Sequence, residues 1–190
     1  MKTKNVMIVG VGGQGSLLAS KLLGHLLLTQ GYDVKVSEVH GMSQRGGSVV
    51  TYVRYGDKVA SPIIDAGEAD YIVSFELLEA ARWLPYLKPD GQIVTNIQQI
   101  DPMPVITGAA QYPEKLVEKM KATGVKVDAL DCLALANEAG SSKAVNLVLM
   151  GRLSHYFDLP EEAWLEAMEA CVPSKFLELN KKAFELGKNA

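Results

Sequence analysis

Two cysteines and three histidines in 190 residues leave little material for metal or thiol chemistry. Cys132 and Cys171 lie far apart and give no C-x-x-C spacing, His25, His40 and His155 are dispersed, and no H-E-x-x-H is present. A structural zinc or an iron–sulfur cluster therefore has no donor set here. The cysteines read as buried thiols in a reducing compartment, and cytoplasm is the expected location. The sequence lacks G-x-x-x-x-G-K-[ST], which speaks against nucleotide hydrolysis. It lacks G-x-S-x-G, so no serine elbow is marked. Long apolar runs are missing too. The stretch after MKTKN is broken by glycines almost at once, so neither a signal peptide nor a spanning helix is expected. A formal net charge of -3 gives no attraction for nucleic acid or an anionic membrane surface.

What the chain does have is glycine in two meaningful places. Val6 to Gly15, VMIVGVGGQG, reads as a buried strand ending in G-x-G-x-x-G, and Ser16 to Leu28 follows as an apolar helix. Glycine tolerates positive φ and lets a backbone or a phosphate come close. The free N–H groups of a helix start favour an anion. Gly12, Gly13, Gln14 and Gly15 are thus candidates for ligand contact, or they only let the helix pack tightly on a sheet. Dinucleotide binding would want an acid at the end of the second strand, and Glu38 stands there, somewhat late.

The rest of the chain reads as one domain of Rossmann-like, doubly wound α/β type with a mostly parallel sheet. Val34–Val39 is expected as a second parallel strand. Ser48–Tyr55 and Val59–Ile64 are expected as an inserted β-hairpin, with an acidic, solvated link at Asp65, Glu68 and Asp70. Further strands are expected at Tyr71–Phe75, Gln92–Asn96 and Val125–Leu130, with a helix at Glu76–Leu87 and another at Tyr112–Thr123. Pro102 and Pro104 leave room only for a short edge segment around Val105. The helices after Ala129, at 133–140, 143–156, 161–170 and from Pro173 on, are expected to pack back over the sheet, with Phe176, Leu177, Leu179 and Phe184 docking the last. Leucines cover more of the first helix than one stripe, so it needs cover on two sides. Surplus apolar surface there and in the C-terminal helices implies a partner, or a homodimer when the chain is alone.

The second glycine stretch is His40-Gly41-Met42-Ser43-Gln44-Arg45-Gly46-Gly47. A histidine titrates near neutral pH, an arginine holds a carboxylate or phosphate in a fork, and glycines offer backbone N–H groups. His40, Gln44, Arg45, Gly46 and Gly47 are candidate ligand or partner contacts, with Glu38 able to orient His40 or Arg45. The plainer reading pairs Arg45 with Glu38 inside the fold or across an interface. Neither stretch completes a reaction centre, and no catalytic residue is assigned.

Together, GVGGQG at Gly10–Gly15 and SEVHGMSQRGGSV at Ser37–Val49 resemble the gamma-type domain of 2-oxoacid:ferredoxin oxidoreductases, most of all the small beta subunits of the indolepyruvate enzymes. The likeness runs through Asn146 and the tail PSKFLELNKKAFELG. It implies a subunit of a complex that decarboxylates arylpyruvates oxidatively, acylates coenzyme A and passes electrons to ferredoxin. Thiamine diphosphate and [4Fe–4S] clusters would belong to a large alpha subunit, and this chain alone would bind no cofactor and be inactive. The two glycine turns would meet at the carboxyl ends of neighbouring strands and face that partner. The competing expectations are a free-standing nucleotide- or flavin-binding protein and a purely structural interaction subunit.

Overall fold

A computed structural model describes residues 2–38 and 46–190. Its centre is β1 (Lys4–Val11), whose residues alternate between two cores: Val6 and Ile8 face one side, Met7 and Val9 the other, all four fully buried. That alternation is what a strand covered on both faces requires. β1 is followed by α1 (Ser16–Thr29), β2 (Asp33–Glu38), β3 (Ser48–Gly56), β4 (Ala69–Ser74), α2 (Leu77–Arg82) and β5 (Leu87–Asn96). Then come α3 (Met103–Ile106), α4 (Leu116–Ala122), β6 (Lys126–Leu130), α5 (Cys132–Ala139), α6 (Val145–Ser154), α7 (Glu161–Cys171) and α8 (Leu177–Asn189). The strands form one sheet in the order β2-β3-β1-β4-β5-β6. β1, β4, β5 and β6 pair in parallel, and β3 alone runs the other way.

The mostly parallel α/β sheet matches expectation, and several details do not. Residues 34–38 run in the direction of β1 but bond only to β3, at the sheet edge. β3 takes the place beside β1, pairing antiparallel from Lys4↔Tyr55 to Val11↔Ser48. The inserted antiparallel pair is therefore β2 with β3. Val59–Ile64 is not a strand, because the Arg54 guanidinium takes the carbonyls of Ser61 and Ile63 at 3.0 and 2.7 Å. Asp70 is no solvated link either. It lies in β4, accepts from the Asn5 backbone at 2.9 Å and pairs with Lys4 and Lys88 at 3.2 and 2.9 Å.

Elsewhere the element boundaries move. The helix expected to Leu87 stops at Arg82, and β5 already begins at Leu87. Around Val105 the chain forms the short helix α3 instead of an edge strand. Tyr112 stands outside α4 and uses its hydroxyl within the fold. Phe176 does not dock, and remains 48% exposed.

One face of the sheet carries α1, α5, α6, α7 and α8, and α2 and α4 contribute the core on the other. α1 is covered on two sides as its leucines demand, by the sheet and by α6 and α7, though Leu17 and Leu28 stay exposed. Trp164, Phe157 and Phe184 build the aromatic centre of this layer. α6 and α8 cross with almost no gap. A Cβ on Gly151 would lie 2.0 Å from the Phe184 carbonyl oxygen, and one on Gly187 would lie 2.0 Å from that of Val148.

Candidate functional site

The site is built where the strands end. α1 leads away from β1 on one side of the sheet, and β4, α2 and β5 continue on the other, so the order reverses between β1 and β4. In open α/β sheets that reversal opens a crevice at the carboxyl ends of the strands. Here the Gln14 side chain closes its floor. Its Oε1 accepts from the Val11 N–H at 2.8 Å, and its Nε2 donates to the Phe75 carbonyl at 3.0 Å. Gly10 is required for this crossing, since a Cβ there would sit 2.9 Å from both Gln14 Oε1 and Phe75 Cβ.

A second amide continues the floor. Asn96, fully buried at the end of β5, donates to the same Phe75 carbonyl at 3.2 Å and accepts from the Cys132 N–H at 3.2 Å. Gln14 and Asn96 thereby tie the ends of β1, β4 and β5 to the start of α5. Buried Glu76 fixes the adjoining wall. It accepts from the Glu79 and Ile100 N–H groups at 2.8 and 3.1 Å and from the Tyr112 hydroxyl at 2.5 Å. Burial and the neighbouring Glu76 carboxylate push the Tyr112 phenol well above its usual range. Asn96, Glu76 and Tyr112 escape sequence reasoning because each is a single polar residue with no repeating neighbour.

Above this floor lies a cleft of about 470 Å³, with Gly13, Gly15, Gln98, Leu133, Ser142 and Lys143 on its walls. Gly13 and Gly15 have φ of +101° and +92°, values an L side chain rarely adopts. Gly15 caps α1 without any side-chain bond, and Ala144 does the same for α6. Both helix starts border the cleft, whose described lining contains one cation, Lys143, and no carboxylate. Free N–H groups at the α1 start and a single ammonium make it hospitable to an anion, whereas the α6 start continues a 3-10 turn capped by Ser141.

The second glycine stretch reaches the first. The Gly46 N–H donates to the Gly12 carbonyl at 3.2 Å, and the Gly12 N–H donates to the Gly47 carbonyl at 2.8 Å. The next residue, Ser48, donates its hydroxyl to buried Glu79, which also pairs with Arg82 at 2.8 Å. Gly46 and Gly47 thus belong to the same end of the sheet as Gly12–Gly15. Glu38 is held apart from them. It accepts from the Ser20 hydroxyl at 2.7 Å and lines a separate groove between α1 and β2 with His25, Leu28 and Val36. It does not reach the Gly13 cleft as a dinucleotide-binding acid would. His40, Gln44 and Arg45 lie outside the described residues.

No group of three or more histidine, cysteine or acidic side chains that could hold a metal occurs among the described residues. Both cysteines are buried, and burial raises the Cys132 thiol far above its usual range. No helix of the described residues is long and apolar enough to cross a membrane.

Fold and cleft define a class: a Rossmann-like α/β protein with two joined glycine turns, a polar floor and no complete reactive centre among the described residues. Residues 5–190 match the family model for pyruvate ferredoxin/flavodoxin oxidoreductase, and the chain belongs to that family. Indolepyruvate oxidoreductase subunit IorB of Thermococcus kodakarensis is 47% identical, over 100% of this chain and 96% of its own length. The IorB subunit of Pyrococcus horikoshii is 45% identical with the same coverage. Among solved structures, pyruvate oxidoreductase subunit PORC of Thermotoga maritima has a TM-score of 0.76 at 20% identity, covering 100% of this chain and 97% of that one. A 2-oxoglutarate:ferredoxin oxidoreductase from Magnetococcus marinus, solved with 2-oxoglutarate, coenzyme A and succinyl-CoA bound, gives a TM-score of 0.74 at 19% identity. There this chain's fold corresponds to 31% of a longer chain.

Proposed function

We propose that this chain acts as a single unit, the small subunit of an indolepyruvate-type ferredoxin oxidoreductase that decarboxylates arylpyruvates oxidatively and acylates coenzyme A. The observation that carries the reading is the joining of Gly12 to Gly46 and Gly47 beside an anion-friendly cleft whose described lining holds no nucleophile–base pair. The resemblance in sequence supplies the substrate class. Thiamine diphosphate supplies carbanion chemistry when bound, and [4Fe–4S] clusters carry single electrons. Two buried, separated cysteines do not suit a cluster, so both cofactors are assigned to the large alpha subunit.

In this reading the glycine turns face the large subunit at the end of the sheet where the cleft opens. The α1 N-terminus and Lys143 receive an anionic group of coenzyme A, the 2-oxoacid or the partner. Arg45 extends that contact. The floor made by Gln14 and Asn96 holds the turns in place and takes no part in bond making. A free-standing dinucleotide or flavin protein is the competing reading. The Gln14 amide across the crevice and the engagement of Glu38 with α1 both speak against it.

Co-expression with the large subunit, followed by arylpyruvate-dependent ferredoxin reduction, tests the proposal. The complex is expected to turn over and the isolated chain to be inert. Arg45→Ala is expected to lower turnover, assembly or both. Stoichiometric flavin or nicotinamide on the purified chain, or decarboxylation by the chain alone, would refute the subunit reading.

A further inference from the structure

A second cavity, of about 400 Å³, shares Lys143 with the cleft, and the rest of its lining is not used by the function proposed above. Its walls include Leu18 of α1, Ala144 and Asn146 at the α5–α6 joint, Val172, and Leu179 and Asn180 of α8. Most of this lining is hydrocarbon. Four polar side chains interrupt it, and the first, Ser141, accepts from the Lys143 N–H at 3.3 Å. Asn146, 4% exposed, is engaged: its amide donates to the Gly15 carbonyl at 3.4 Å, and its oxygen accepts from the Leu147 N–H at 2.9 Å. Asn180, 8% exposed, donates to the Phe176 carbonyl at 2.8 Å, and its side-chain oxygen has no partner among the described residues. Lys143 is exposed, lines this cavity as well as the cleft, and makes no ion pair among the described residues.

Ligand sites combine mostly apolar walls with a few placed polar groups, in volumes of roughly 300–1,000 Å³. This cavity has that make-up and sits near the small end of the range. Its single ammonium sets the charge of the occupant. A monoanion is neutralised by it, whereas a dianion keeps one uncompensated charge against hydrocarbon. Phe176, 48% exposed on the wall, is an apolar surface that an apolar body would cover.

We propose that this cavity binds a small monocarboxylate with an apolar body, the carboxylate on Lys143 and the body between Leu18, Val172 and Leu179. The site shares Lys143 with the cleft of the assembly reading, but its apolar walls belong to neither glycine turn, and binding to the chain alone needs no partner subunit.

The test is calorimetric titration of the full-length chain with phenylacetate, with phenylacetamide as a near-isosteric neutral control, and with inorganic phosphate. Phenylacetate is expected to saturate one site and to bind at least about tenfold more tightly than phenylacetamide. Lys143→Gln is expected to remove that difference while keeping phenylacetamide binding. Leu179→Trp fills the void and is expected to abolish binding while cooperative unfolding is retained. Should that variant not fold, nuclear Overhauser contacts from the phenylacetate ring to the Leu18 and Leu179 methyls of the unaltered chain decide the matter. Equal affinity for both probes, phosphate binding as tightly as phenylacetate, or missing methyl contacts would each overturn the proposal. So would an Leu179→Trp chain that assembles poorly with the large subunit while phenylacetate never saturates, since a partner side chain would then be the occupant.

Discussion

Two pairs of glycines do opposite work in this molecule. Gly151 and Gly187 lie where α6 and α8 touch, and a methyl group on either would meet a backbone carbonyl at 2.0 Å. Gly13 and Gly46 have φ of +101° and +86°, and nothing among the described residues lies within 4 Å of where their Cβ would be. The first pair is glycine because the interior is full. The second is glycine because the backbone takes a left-handed turn beside open space, so its lack of a side chain serves chain geometry and whatever approaches from outside. Packing pressure explains one pair and leaves the other to function.

The largest effect is expected at the crossing. Gly187→Ala must push α6 and α8 apart, and overpacking costs about 3 kcal/mol or more when backbone has to move. Urea unfolding should show it, with loss of complex activity only through loss of folded protein. A neutral Gly187→Ala would break the contrast. Gln14→Leu comes next. It strands the half-buried Val11 N–H, whereas the Phe75 carbonyl keeps Asn96, so about 1–2 kcal/mol is expected to be lost. Gly13→Ala should cost about 1–2 kcal/mol from the left-handed turn alone. Gly13→Asn, better suited to that conformation, should recover much of this stability. It should not recover ferredoxin reduction by the complex if the open space is a contact surface.

The smallest effect is a pH dependence shared by both regions. Tyr156 is pushed up to about 12 from the ordinary 10.0, first by burial and then by its hydrogen bond to Asp128. Burial raises Tyr55 and Tyr112 further still. A phenol whose folded pKa is raised favours the folded state fully below its unfolded pKa and loses that advantage as pH rises through the folded one. Stability should therefore be flat between pH 8 and 9 on this account and fall from about pH 10 to pH 12. Urea midpoints together with phenolate absorbance would check it, and a midpoint unchanged at pH 11 would remove the contribution.

The strand–turn–helix start was legible because its signals are local: an apolar run, fixed glycine spacing, then an apolar helix. Gly187 was not, because its meaning depends on a helix some forty residues earlier. The place of β3 between β2 and β1 was hidden for a similar reason. Strand pairing is a choice among distant partners, and a β-branched run such as Ser48–Gly56 suits several of them. The site divides in the same way. The two glycine turns stand out as motifs, whereas the amide floor of Gln14 and Asn96 and the Glu76–Tyr112 pair arise only once the strand ends are side by side.

The reversed course of β3 has a consequence for how this fold can diversify. Because β2 pairs with an antiparallel neighbour, Glu38 and Ser48 stand at the same end of the sheet, and no crossover from one end to the other separates them. A change in chain length between those two ends is therefore expected to leave the pairing of every strand, and the amide floor beneath the cleft, where they are.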